Sequence, residues 1–143
     1  MSARQELKLA RECVEKKNWK GARQHAAAAR KADKTSYAAC VLFALADANL
    51  WDAEAAPAGP QYAEAAYRCA TELDPASPVA WKGLAELLVR LGPARRTDAA
   101  DAFVQVAARL PPGTPAAERA ATLDRAAALY EAAQAWARAA DIY

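Results

Sequence analysis

The spacing Ala63, Tyr67, Ala70, Pro75, then Trp81, Leu84 and Ala85, limits what this chain can fold into more than any other feature of it. Residues three and four apart share one face of a helix, so the alanines put small side chains where a second helix can come close, and Tyr67 fills the space between them. Pro75 ends the helix, because an interior proline loses a backbone hydrogen bond and clashes with the turn before it. Trp81, Leu84 and Ala85 then start the pattern again. Two helices and their turns make a repeat of about 34 residues, which buries its apolar face only by stacking on neighbours. Stacked repeats present extended surfaces, so the spacing predicts binding before any catalytic residue is considered.

The same register runs along the chain four times. Leu9, Ala10 and Cys13 face Ala22, Ala26 and Ala29; Cys40, Phe43 and Ala44 face Ala63, Tyr67 and Ala70, closed by Pro75. Trp81, Leu84, Ala85 and Leu88 face Ala99, Phe103 and Val106, closed by Pro111; Leu123, Ala126, Ala127 and Tyr130 face Ala139 and Tyr143. The expected fold is all-α, a single α-solenoid domain of stacked antiparallel helix pairs. Its repeats fall at about residues 3–36, 37–77 and 78–113, with an incomplete fourth at 120–143, so the chain reads as part of a longer solenoid. Pro57, Gly59 and Pro60 mark an inserted loop near residues 53–60, expected on a rim of the stack.

Alanine supplies 43 of the 143 residues, so the 55% hydrophobic fraction overstates the large side chains available for burial. Helix propensity and close approach must do much of the rest. Ser2 with Gln5 fits a capping box, Asn18 an interhelical turn, and Ser77-Pro78 and Thr114-Pro115 a cap followed by proline at the first helical position.

These residues resemble the tetratricopeptide repeat family, most closely in AEAAYRCATELDP (from Ala63) and AWKGLA (from Ala80). The resemblance implies that the first helix of each unit lines a concave groove. Its positions are Arg4, Leu7, Arg11 and Val14; Ala38, Val41, Leu45 and Ala48; and Val79, Lys82, Glu86 and Val89. Such a groove is largely apolar and suits a hydrophobic peptide segment. Where the family's chaperone-binding members clamp a terminal carboxylate, this sequence has Leu7, Arg11, Leu42, Val79 and Gly83, with one cation, so a clamp is not expected.

Within the family, KKNWKGARQHA (from Lys16) and its surroundings resemble the amino-terminal repeats of a large scaffold in cytosolic messenger RNA decay. That resemblance implies a non-catalytic cytoplasmic protein, with a nuclear pool allowed. Its partners would be an RNA helicase subunit, a WD40 subunit and the exosome. A generic adaptor that binds one apolar peptide is the alternative. Direct RNA contact is a third reading, since residues 1–34 hold ten Lys or Arg against four Asp or Glu; a solvated capping face explains the same charge.

Catalysis has thin support. His25 is the only histidine and has no carboxylate or cysteine at a spacing that makes a catalytic pair or metal site, and reads as a structural side chain. Asp98 and Asp101 read as carboxylates favouring a helix start. Cys13, Cys40 and Cys69 read as buried thiols outside metal-ligand spacing. No phosphate-binding glycine loop is present. No enzyme activity, cofactor, metal or membrane association is expected.

Overall fold

The computed structural model describes residues 2–51, 60–134 and 136–142. Among them the chain is all-α, with eight α-helices and one short 3-10 turn. It divides into two compact units, Met1–Pro75 and Ala76–Tyr143. The first contains α1 (Ala3–Glu15), α2 (Trp19–Ala32), α3 (Tyr37–Leu50) and α4 (Gln61–Leu73). Each packs on its chain neighbours, and α1 also packs on α3. The second contains α5 (Pro78–Arg90), the 3-10 turn Pro93–Arg95, α6 (Arg96–Ala108), α7 (Ala116–Ala132) and α8 (Trp136–Ile142), again packed in succession. The insertion expected near residues 53–60 lies, apart from Pro60, outside the described residues, as does Tyr143.

Local chemistry fixes the helix ends. Ser2 and Gln5 form the reciprocal capping box at α1, and Ser77 caps α5 with Pro78 in its first turn. The α1–α2 corner is a Schellman turn: Asn18 N–H donates to Cys13 C=O at 2.8 Å and Lys17 N–H to Val14 C=O at 3.0 Å. Lys17 takes the left-handed conformation that glycine fills more easily, at φ 57°. The Asn18 side chain then accepts from Gly21 N–H at 3.1 Å, and a Cβ on Gly21 would stand 2.6 Å from Asn18 Nδ2. The sequence Lys16 to Gly21 is thus a built corner.

One start differs from expectation. Thr114 does not cap α7; its N–H turns back to Pro111 C=O at 2.9 Å, and extended Pro115 itself occupies the cap position without a side-chain bond. Between α2 and α3, Ser36 caps Ala39 N–H, while Asp33 accepts from both Thr35 N–H and its hydroxyl. Those bonds hold the Asp33 carboxyl below its usual value.

The core is built on alanine. Ala10, Ala22, Ala26 and Ala29 are fully buried where α1, α2 and α3 meet, as are Ala63, Ala66 and Ala70 on α4. Leu84 and Leu88 on α5 are the largest fully buried side chains, with Phe103, Val106 and Tyr130 buried nearby in the same unit.

Helices held this close have no room for added volume. Ala26→Leu is expected to destabilise the fold by about 1–3 kcal/mol in urea denaturation, whereas Ala27→Leu, on the exposed face of the same helix, should change it by less than about 0.5 kcal/mol. Lys17→Gly should stabilise by roughly 0.5–1 kcal/mol, because it relieves the left-handed backbone at the corner.

Candidate functional site

The candidate surface is carried by the first helix of each pair. On α1, Leu7 and Val14 are half-buried and Arg4 and Arg11 exposed. On neighbouring α3, Ala38, Val41, Leu42 and Leu45 are half-buried and Ala48 is buried. Because α1 packs on α3, these rows belong to adjacent helices of one unit. In the second unit, Val79 is 56% exposed, Lys82 and Glu86 are exposed, and Val89 is half-buried on α5. Glu86 meets Arg125 of α7 at 3.8 Å. Both side chains are half in water, so the pair steers orientation more than it stabilises.

The residues assigned to repeat packing occupy different depths. Ala22, Ala63, Tyr67, Ala70, Leu84, Phe103, Tyr130 and Ala139 are buried. Trp81 is half-buried, while Pro75 and Pro111 are exposed just beyond the ends of α4 and α6.

His25 is not without a carboxylate. Its Nδ1 lies 2.7 Å from Glu6 Oε2, because α2 packs along α1 and brings together residues nineteen apart. Sequence spacing on one helix could not reveal a partner on another. The pair ties α2 to α1.

The basic first segment is likewise less uniform than its charge suggests. Arg23 binds Asp47 at 2.8 Å, and the guanidinium groups of Arg23 and Arg30 lie 5.0 and 5.1 Å from the centre of the Phe43 ring. Arg23 also approaches the Tyr62 ring, at 5.8 Å. These two cations are drawn into the α2, α3 and α4 packing.

The second unit repeats the device. Arg109 lies 5.2 Å from the Trp81 ring, Arg125 4.4 Å from Phe103, and Arg138 6.0 Å from Tyr130. Asp101 joins three helices: it accepts a hydrogen bond from the Tyr130 hydroxyl of α7 and faces Arg138 of α8 at 3.4 Å. Its role is cross-helix bridging, whereas Asp98 pairs locally with Arg95 at 3.0 Å. Burial, and then the Asp101 carboxylate, push the Tyr130 phenol well above its ordinary range.

Of the cysteines, Cys40 is buried, and Cys13 and Cys69 are half-buried. Burial pushes the Cys40 thiol up to about 11, against the opposing pull of the Arg30 guanidinium. Among the described residues, no group of three or more His, Cys, Asp or Glu side chains converges to hold a metal ion, and no helix is long and apolar enough to cross a membrane.

The fold favours the neutral Tyr130 phenol, so its contribution to stability is complete below the ordinary phenol value of about 10 and falls away as pH rises past it. In an ultraviolet pH titration, the Tyr130 phenol is expected to ionise late, a transition that Tyr130→Phe removes. Asp101→Asn should lower that late titration; an unchanged late transition would remove Asp101 as one of its causes.

No family model matches the sequence. The chain is 37% identical over 81 residues to Superkiller complex protein 3 of Mus musculus, and equally to Superkiller complex protein 3 of Homo sapiens. The match covers 57% of this chain and 5% of each relative, so the similarity spans about a twentieth of the length of those proteins. Partial similarity of this kind and an all-helical fold of successive pairs agree with tetratricopeptide-like repeats.

Proposed function

We propose that the chain is a non-catalytic protein-interaction scaffold of tetratricopeptide repeats, working as the amino-terminal arm of a superkiller-type subunit in the cytoplasm. The single observation carrying this reading is the 37% identity over 81 residues to Superkiller complex protein 3, whose name makes it a complex subunit. The succession of helix pairs supports it, since such stacks offer surface rather than reacting groups. On this reading the partners belong to the Ski complex and the RNA exosome that serves messenger RNA decay: a helicase subunit, a WD40 subunit and the exosome itself.

The proposed mechanism is burial of partner segments on the half-exposed apolar rows. Leu7, Val14, Val41 and Leu45 serve in the first unit, and Val79 and Val89 in the second, with Arg11 and Lys82 supplying charge beside them. Apolar side chains left half in water can be covered by a partner without first breaking the core. At the positions where the family's chaperone-binding members clamp a carboxylate this chain has Leu7, Arg11, Leu42, Val79 and Gly83, with one cation, so on this reading the scaffold differs from a carboxylate-binding adaptor.

The test is affinity purification of the tagged chain with the helicase, WD40 and exosome subunits supplied as purified proteins. Co-purification of at least one is expected, with a loss of roughly tenfold or more in affinity for the double variant Val41→Glu, Leu45→Glu, because charge placed in an apolar contact is left unpaired. Helical content measured by circular dichroism should stay unchanged in that variant. Absence of binding to all three proteins overturns the scaffold assignment, and equal binding by the folded double variant overturns the groove.

A further inference from the structure

Away from the groove rows, Cys40 of α3 and Cys69 of α4 face each other with their sulfur atoms 3.8 Å apart. Packing of α3 on α4 brings these thiols together across twenty-nine positions of sequence. Cys13 sits elsewhere, beside Asn18 Nδ2 at 3.9 Å. A disulfide has a sulfur separation of about 2.05 Å, so closing the Cys40–Cys69 gap asks for about 2 Å of sulfur movement. The two residues differ in burial: Cys40 is 1% exposed, whereas Cys69 is half-buried and so the more accessible of the pair.

We propose that Cys40 and Cys69 form a modification site, a dithiol that hydrogen peroxide converts into an intramolecular disulfide tying α3 to α4. Cys69, as thiolate, attacks peroxide; a sulfur–oxygen bond forms, the oxygen–oxygen bond breaks, and the departing hydroxide takes a proton to become water. The Cys40 sulfur then attacks the Cys69 sulfenic acid. The sulfur–sulfur bond forms, the sulfur–oxygen bond breaks, and hydroxide leaves with the Cys40 proton as the second water. Two thiols and one peroxide give one disulfide and two waters.

The surroundings suit this order of events. Burial keeps Cys40 protonated and shielded until the neighbouring sulfenic acid forms, and the Arg30 guanidinium beside it favours the thiolate as its proton departs. The bond would close a loop of about 30 residues around the α3–α4 connection, which restricts the unfolded chain and stabilises the folded one.

The test treats the reduced full chain with hydrogen peroxide, blocks remaining thiols, and maps cross-links by mass spectrometry. A dominant Cys40–Cys69 linked peptide is expected, reversible with dithiothreitol, together with a melting midpoint raised by about 5 °C or more. Cys69→Ser should abolish the link and Cys13→Ser should preserve it. In guanidinium, where the Cys13–Cys40 separation is close to that of Cys40–Cys69, pairing should become mixed, which separates folded proximity from sequence proximity. A chain that does not react, a Cys69 sulfinic acid with Cys40 still free, or native links spread over all three cysteines overturns the proposal. A linked chain that melts with the reduced one overturns the stabilising tie.

Discussion

Close approach of helix backbones over alanine is the constraint on which the rest of this structure depends. Ala10, Ala22, Ala26 and Ala29 are buried to their last methyl, and a methyl is all that separates one helix from the next at those points. Short helices of 13 or 14 residues are marginal alone in water, so their contacts must supply what propensity leaves unfilled. Small side chains do this through dense contact over a large area rather than through a few bulky groups. Side chains on those seams therefore tolerate little growth, while the outward faces of the same helices are free to vary.

An alanine core has a second consequence. Few large side chains are available, and the aromatic rings that are present reach beyond the small residues around them. Guanidinium groups cover several: Arg23 and Arg30 over Phe43, Arg109 over Trp81, Arg125 over Phe103, and Arg138 over Tyr130. Arginine suits that place because its aliphatic stem adds apolar cover and its planar, weakly hydrated head stacks on a ring. Within each unit these arginines and rings thus pack together, which composition alone divides into two classes.

How much of this could be read from the sequence follows from where the information lies. The helices and their pairing were legible because alanine, aromatic and proline recur at helical spacing, as in Ala63, Tyr67, Ala70 and Pro75. The Ser2 and Ser77 caps were legible because their partners lie within three residues. The Thr114 cap was misread, since Ser-Pro and Thr-Pro look alike until the backbone shows whether proline sits inside the helix or before it. Polar pairs between helices were not legible. Glu6 with His25, Asp47 with Arg23, and Asp101 with Tyr130 are set by the rotation of one helix against another, which local periodicity leaves undetermined. The positions that the family resemblance assigns to a groove remain a proposal, and their exposure, from buried Ala48 to exposed Val79, is a property of the packing.

The charge of the first 34 residues shows how packing changes the meaning of composition. Its six lysines, at positions 8, 16, 17, 20, 31 and 34, are all exposed, whereas Arg23 and Arg30 are half-buried against Phe43. The ammonium group is compact and strongly hydrated, so the two cations drawn against a ring here are arginines, while Arg4 and Arg11 stay exposed with the lysines. Asp47 further neutralises Arg23. The charge left for an external partner is therefore mainly lysine, which attracts anionic surfaces through a field that salt screens but lacks the bidentate geometry that makes arginine selective. A binding surface built on such a unit would take its attraction from the lysines and its discrimination from the apolar rows of α1 and α3.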